Sequence, residues 1–224
     1  MKTLIVTATR QNDHKNTILS ESLSPLLDKG VKFSASYTVN NTQGLPLVYN
    51  KALTDYARDY DCIVFVHDDV YIDDAFVLDK IEDGFGSGFD IVGVAGGTTP
   101  VIKAPALWHI MCGRGNLRGA AGHFSADMKT VGITSFGPMP ARVALLDGLF
   151  LAVNTKRVLE TGWKFNENYD FHLYDLSSCL DANAKGLRMG VLPIHLTHKS
   201  PGLSDINDAC FQRNQAKFLQ EYSK

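Results

Sequence analysis

The chain has 224 residues, of which 45% are hydrophobic and 21% are charged, and its formal net charge is −2. This length and composition are typical of one large α/β domain or two small ones, which can bury a core without disulfides or structural metals. The absence of a long basic run excludes nucleic acid as the main partner, because nothing would follow a phosphate backbone.

Three features predict a cytoplasmic protein without a transmembrane segment. The start, MKTLIVTATR, is apolar for only a few residues and lacks a signal-peptide cleavage site. No apolar run approaches the roughly 20 residues that a membrane-spanning helix needs. The four cysteines form no C-x-x-C pair, which favours buried free thiols in a reducing compartment; they are Cys62, Cys112, Cys179 and Cys210.

Short apolar runs alternate with helical patterns along most of the chain. The predicted strands are residues 3–8, 32–39, 62–67, 90–95, 145–153 and 189–196. The predicted helices are residues 16–27, 46–60, 74–83, 155–161 and 174–185. Because several strands are apolar on both faces, the pattern predicts an α/β fold with an open, mostly parallel, twisted sheet and helices on both faces. No repeat or linker interrupts it, so we expect a single domain.

Two segments depart from this alternation. Residues 96–142 are rich in Gly and Pro with only weak periodicity, which is typical of a long functional or disordered loop, although its aromatic residues argue against plain disorder. Residues 205–222 read as a terminal helix capped by Asp205. Its apolar residues fall on two stripes, Ile206, Ala209, Ala216 and Leu219 on one and Phe211, Phe218 and Tyr222 on the other.

The stretch VFVHDDVYID ends an apolar strand in acids. Like charges repel, so Asp68 and Asp69 call for a compensating cation, whereas Asp73 and Asp74 are typical of a helix cap. In a parallel α/β layer, the N-terminus of helix 46–60 lies at the same edge as these acids and offers free N–H groups to an anion. A divalent metal carrying phosphates would satisfy both groups, and a solvated turn is the alternative.

An N-x-x-G loop at residues 41–44, a helix carrying Asn50 and a strand ending in acids resemble the front half of a GT-A nucleotide-sugar glycosyltransferase of the family-2 type. In that family the strand ends in an Asp-x-Asp motif, whose last Asp holds a divalent metal on the sugar-nucleotide diphosphate. The corresponding triplet here is His67-Asp68-Asp69, so the last acid is kept and the first is replaced by His.

The second half of the chain resembles the same family. Asp147 and Gly148 occupy a short acidic turn before a strand, on the acceptor side. The pair Tyr174-Asp175 stands where the family has Glu-Asp at the start of a helix, and an apolar strand then ends at His198. The motifs H-D-D-V, VGVAGG with a downstream Trp108, F-H-L-Y-D and H-x-S-x-G are most similar to a streptomycin-biosynthesis-type, glycosyltransferase-like subgroup.

The resemblance implies a role for each candidate residue. Asp175 would be the general base, and Asp69 and His198 would bind Mn²⁺ or Mg²⁺; the alternatives are an acid that complements a helix dipole and a structural histidine. The nucleotide-sugar contacts would be Thr7, Arg10, Asn41, Asn50, His67 and Asp68. The acceptor contacts would be Trp108, Asp147, Gly148 and His172. Arg114, Arg118 and His123 would either close over the diphosphate as a lid or face solvent.

The resulting hypothesis is a metal-dependent, inverting transferase that moves a sugar from a nucleotide diphosphate, by family habit UDP, to an acceptor hydroxyl. The acceptor would be a glycan, a lipid-linked sugar or a small molecule, and a homo-oligomer stays open. Residues 1–97 would bind the donor, residues 98–204 would form the acceptor and catalytic half, and 205–224 the terminal helix.

Two alternatives stay open. A nucleotidyltransferase would carry a Gly-rich basic loop after its first strand, where this chain has TATRQNDHKN without Gly. A non-catalytic member of the fold, binding a nucleotide sugar or a protein partner, would explain the departures at His67 and Tyr174.

Overall fold

A computed structural model of the chain describes residues 1–125, 127, 129–199 and 208–223. The strands are β1 (Thr3–Ala8), β2 (Ser34–Thr38), β3 (Cys62–Val66), β4 (Val70–Ile72), β5 (Ile91–Gly93), β6 (Ala95–Gly97), β7 (Leu117–Phe124), β8 (Val131–Gly137), β9 (Ala141–Val143), β10 (Leu145–Leu146), β11 (Phe150–Asn154), β12 (Met189–Val191) and β13 (Leu196–His198). The helices are α1 (Ile18–Asp28), α2 (Leu45–Tyr56), α3 (Val77–Gly86), α4 (Trp108–Met111), α5 (Thr155–Thr161), α6 (Tyr174–Ala184) and α7 (Ala209–Tyr222).

The main sheet has seven strands in the order β2-β1-β3-β11-β5-β12-β9. Five of them point the same way, and β11 and β9 run antiparallel to their neighbours. Every residue of β1 and β3 is buried, so both faces of the sheet are covered. The predicted α/β class with its mostly parallel sheet is confirmed.

A second sheet has the order β10-β6-β7-β13-β4, and β8 pairs with β7 outside this order. The prediction of one long loop over residues 96–142 is therefore wrong in part. The strands were missed because glycines interrupt the apolar pattern where two backbones come close. At Gly119, with φ of 100°, a Cβ would lie 2.0 Å from the Val94 carbonyl oxygen.

Three predicted strands each divide in two. Residues 90–95 form β5 and β6, residues 145–153 form β10 and β11, and residues 189–196 lead through Pro193 from β12 towards β13. In every case one piece belongs to the main sheet and the other to the second sheet. In each of these three apolar runs the chain thus passes from one sheet to the other. Hydrophobic periodicity alone does not reveal such a change. By contrast, β1 and α5 have the predicted bounds.

The terminal helix α7 begins later than predicted. Asp208 caps it by accepting from the Phe211 N–H, and the predicted cap Asp205 lies outside the described residues. Phe211 and Phe218 are buried, so the aromatic stripe packs on the body. The four cysteines are free; three of them are buried as predicted, whereas Cys210 is half-buried and the prediction is wrong there. Within the described ranges, no helix combines the length and apolar character that crossing a bilayer requires.

Candidate active site

The ends of several strands and one helix meet around a cleft of about 450 Å³. Eight of the thirteen candidate residues from the sequence line it: His67, Asp69, Trp108, Asp147, Gly148, His172, Asp175 and His198. They come from the turn after β3, the start of α4, the turn between β10 and β11, the segment before α6 with its first turn, and the end of β13. The topology thus brings together the motifs that the resemblance singled out.

One wall of the cleft is a cluster of two imidazoles and one carboxylate. His67, Asp69 and His198 each offer a ligand atom, and these atoms lie within 4.8 Å of one another. His198 Nε2 lies 3.1 Å from Asp69 Oδ1, and the Lys199 N–H donates to the Asp69 carbonyl oxygen at 2.9 Å. Burial raises the pKa of the Asp69 carboxyl, whereas its hydrogen bond with His198 and the charge of that imidazole lower it. The net result is a pKa below the ordinary value.

This donor set fits a divalent metal ion. The 3.1 Å between His198 Nε2 and Asp69 Oδ1 is close to the separation of about 3 Å between neighbouring ligands that each lie about 2.1 Å from an ion. Two imidazoles and one carboxylate leave coordination positions for water or phosphate oxygens. The cluster includes His67, which the sequence resemblance assigned to the nucleotide sugar rather than to the metal.

His67 also contacts Tyr174 across the cleft. Its Nε2 lies 3.1 Å from the Tyr174 hydroxyl, which donates to the Gly148 carbonyl oxygen at 2.8 Å. The His67 ring stacks on Phe171, with ring centroids 5.7 Å apart. Burial lowers the pKa of the His67 imidazole, which favours the neutral ring that a metal ligand requires.

Another wall of the cleft carries the candidate base, Asp175, in the first turn of α6. Its Oδ2 accepts the Gly148 N–H at 2.9 Å, and its Oδ1 accepts the Leu176 N–H at 2.9 Å. Burial, together with the nearby charge of Asp147, raises the pKa of the Asp175 carboxyl to about 7. Gly148 permits this close packing, since a Cβ there would lie 2.5 Å from the Tyr174 hydroxyl oxygen.

Several aromatic side chains also line the cleft. Trp108 is buried and packs on Phe136, with ring centroids 5.5 Å apart. Phe211 of α7 lies against His172 at 5.4 Å. Phe136 and Phe211 were not among the sequence candidates, because β8 was not predicted and α7 carried no motif. Strand periodicity around Phe136 is the signal that could have found it.

The second acid pair has a structural role, but the prediction that it caps the next helix is wrong, since the N-cap of α3 is Phe76 and no side chain caps it. Asp74 accepts from the Phe76 N–H at 3.0 Å before α3 and pairs with Lys80 at 2.6 Å. Asp73 accepts from the Thr197 hydroxyl at 2.7 Å. These two acids therefore fix the turn after β4 to α3 and β13.

The five other candidates do not line this cleft. Asn50 is buried and bridges α2 to Phe165, accepting from its N–H at 2.8 Å and donating to its carbonyl at 2.9 Å, which is a structural role. The Asn41 side chain closes a turn with Gln43. The remaining three lie at or just after the C-terminal ends of β1 and β3: Thr7 is buried, Arg10 is exposed and Asp68 is half-buried.

The predicted anion site at the start of α2 is wrong. The Leu45 N–H donates to the Asp170 carbonyl oxygen at 2.8 Å, so the segment before α6 occupies this helix end. Of the three candidates for a lid, His123 lies in β7 and lines the cleft, whereas Arg118 donates to the backbone carbonyls of Gly115 and Leu117.

Solved structures with low sequence identity share this fold. S. aureus TarS 1-349 in complex with UDP-GlcNAc matches with a TM-score of 0.54 at 14% identity, over 100% of this chain and 72% of that one. The catalytic domain of Drosophila β1,4-galactosyltransferase 7 in complex with xylobiose gives 0.52 at 11% identity, over 85% and 65%. A197 from STIV gives 0.51 at 12% identity, over 93% and 100%. The fold class is that of the GT-A glycosyltransferases.

The sequence supports the same class. The family described as Glycosyltransferase like family matches residues 12–222, and the chain belongs to it. Membership over nearly the whole chain makes the protein a glycosyltransferase. A search of curated protein sequences gives no match.

Proposed function

We propose that the protein is a metal-dependent, inverting glycosyltransferase that moves a sugar from a nucleotide diphosphate to an acceptor hydroxyl. The observation that carries this proposal is that one cleft contains both the His67–Asp69–His198 cluster and the carboxylate of Asp175. A transfer of this kind needs charge stabilisation at the diphosphate and a base at the acceptor, and the two walls supply these separately.

Asp175 is the base in this proposal. It takes the proton of the acceptor hydroxyl as the acceptor oxygen bonds to the anomeric carbon, while the bond from that carbon to the diphosphate oxygen breaks. Attack from the face opposite the leaving group inverts the anomeric centre. A carboxyl whose pKa is raised to about 7 is suited to this work, because general bases are most effective when their pKa is near the working pH.

The cluster would hold the ion through Asp69, His198 and His67. A divalent ion bound there supplies positive charge for the diphosphate as it leaves. Of Mn²⁺ and Mg²⁺, the donor set favours Mn²⁺, since Mg²⁺ is bound mainly through oxygen ligands and two of the three donors here are imidazoles.

The proposed donor is a UDP-sugar. This rests on two of the similar structures, which are complexes of TarS with UDP and with UDP-GlcNAc. Residues 1–97 would form the donor half, with Thr7, Arg10, Asn41 and Asp68 as further nucleotide contacts, and residues 98–204 the acceptor half. Trp108, Phe136 and Phe211 give the cleft an apolar lining against which an acceptor sugar would pack. The streptomycin-biosynthesis-type subgroup stays a prediction.

Calorimetric titration of UDP, GDP and CDP, each with Mn²⁺ and with EDTA, tests the proposal. We expect UDP alone to bind, and only with Mn²⁺. Asp69→Ala should abolish that binding, whereas Asp175→Asn should keep it and lose sugar transfer. Asp79→Ala, which removes an exposed acid of α3, is the control and should change neither.

Other outcomes identify the alternatives. An Asp69→Ala protein that binds UDP with unchanged metal dependence refutes the metal assignment. Metal-dependent UDP binding with neither transfer nor donor hydrolysis favours a non-catalytic member of the fold. Absence of binding for all three nucleotides contradicts the donor assignment as a whole.

A further inference from the structure

The two residues that depart from the family pattern contact each other. His67 replaces the first acid of the strand-end motif and Tyr174 replaces the first acid of the helix-start pair, and 107 positions separate them in the chain. Their side chains nevertheless meet at 3.1 Å, between His67 Nε2 and the Tyr174 hydroxyl oxygen. Both line the cleft, so the two departures form one unit rather than two separate losses.

The direction of these hydrogen bonds follows from counting protons. The Tyr174 hydroxyl has one proton, and the Gly148 carbonyl, 2.8 Å away, can only accept it. Tyr174 therefore presents a lone pair to His67, and His67 Nε2 has to be the donor. A neutral imidazole with its proton on Nε2 has an unprotonated Nδ1, which is the state that a metal ligand requires.

The Tyr174 hydroxyl is held firmly enough to select one tautomer. Tyr174 is 2% exposed, and its ring packs against Tyr49 and Phe165 with centroids 6.0 and 6.1 Å away. On the other side, the stacking of Phe171 restricts rotation of the His67 ring. Both rings therefore pack against other aromatic side chains in the protein without ligand.

We propose that Tyr174 is a positioning residue that holds His67 in the Nε2–H tautomer, so that His67 Nδ1 serves as the third protein ligand of the metal beside Asp69 and His198. The inference rests on the proposed function, because it specifies how the same metal site is built. Histidines that bind metals commonly donate their other ring N–H to a neighbouring acceptor, and this bond sets the tautomer and ring orientation.

The first test is the affinity for Mn²⁺ alone, measured by calorimetry without nucleotide. Tyr174→Phe should raise the Kd by about 10–100-fold, the usual effect of losing such an outer partner. The matched control is Tyr169→Phe, which also removes a hydroxyl from a buried ring, but one that bonds Glu221 outside the cleft. This control should leave the Kd within about twofold of the wild type, since neither Tyr169 nor Glu221 lines the cleft.

Two further readouts separate positioning from a merely structural effect. In metal-free protein, nitrogen NMR of the imidazole should show the Nε2–H tautomer of His67 and a mixture of tautomers in Tyr174→Phe. In the His67→Asp background, where a carboxylate replaces the ring, Tyr174→Phe should cause no additional loss of Mn²⁺ affinity. This non-additivity is the signature of a residue that acts through its partner.

The outcomes distinguish this inference from the proposed function. If His198→Ala loses Mn²⁺ binding but folded Tyr174→Phe keeps the wild-type Kd, the role of Tyr174 is refuted and the metal site stands. An equal loss from Tyr174→Phe with His67 and with His67→Asp refutes it as well. A wild-type protein that binds no Mn²⁺ overturns both.

Discussion

At the scale of single residues, the raised pKa of Asp175 predicts a pH dependence. A base must be deprotonated to act, so we expect kcat/KM to rise about tenfold per pH unit below 7 and to level off above it. Asp147→Asn removes the like charge and should shift this rise to lower pH. Rates of metal-dependent sugar transfer, measured from pH 5 to 9 for both proteins, check the prediction, and coincident profiles would contradict it.

The raised pKa of Asp175 also makes the free energy of unfolding depend on pH. This dependence runs in the opposite direction to that of kcat/KM. Because the folded-state pKa of Asp175 is raised above its ordinary value, its stabilising contribution is complete below about pH 4 and is lost as the pH rises through 7. The ionised carboxylate that catalysis needs is thus the form that the folded protein tolerates less well. Asp175→Asn, which cannot ionise, removes this part of the pH dependence of unfolding.

The sequence also predicted several individual residues of the cleft. Asp69, Asp175 and His198 lie in one cleft as the motif order implied, since the order of strands and helices fixes which ends meet. The contact between His67 and Tyr174 could not be predicted, because a substitution in one motif gives no information about a partner 107 positions away. The role of Asn50 was hidden for the same reason, as its partner Phe165 is 115 positions distant.

At the scale of elements, the second sheet depends on a glycine. Gly119 has φ of 100°, and a Cβ there would lie 2.0 Å from the Val94 carbonyl oxygen, where β7 leaves β6. We expect Gly119→Ala to lower the free energy of unfolding by at least about 2 kcal/mol, from both backbone strain and the clash. Urea denaturation measures this loss.

Gly132→Ala in β8 provides the control for that measurement. Among the described residues, nothing lies within 4 Å of the added methyl group, so the stability of the variant should stay within about 0.5 kcal/mol of the wild type. If both variants unfold at the same urea concentration, β7 can move away from Val94, and the close approach of the backbones does not limit stability.

The strands also show why the ends of an element are harder to predict than its existence. All six predicted strands correspond to observed ones, and in β1 and β3 the apolar β-branched run does reflect burial on both faces. Where the chain passes from β5 to β6, both pieces are apolar and only the buried Val94 separates them, so no turn residue marks the change of sheet. Which sheet a residue joins is decided by its pairing partners, which a local pattern does not contain.

At the scale of the whole molecule, metal binding and global stability should be coupled. The proposed ligands come from the turn after β3 and from the end of β13, 129 positions apart, so the unfolded chain has no site. Mn²⁺ at 100 times its Kd should therefore add about 2.7 kcal/mol to the free energy of unfolding. The midpoint of thermal unfolding with Mn²⁺ and with EDTA tests this, and Asp69→Ala should show no difference between the two conditions.

The distance between Asp69 and His198 along the chain also bears on biosynthesis. The two acids that follow β3 leave the ribosome with their like charges uncompensated, and His198 follows 129 residues later, on the order of 10 s at usual translation rates. Phe211, which closes the cleft from α7, emerges later still. During that interval the nascent chain carries two of the three proposed metal ligands, and the set is complete only once His198 has been added.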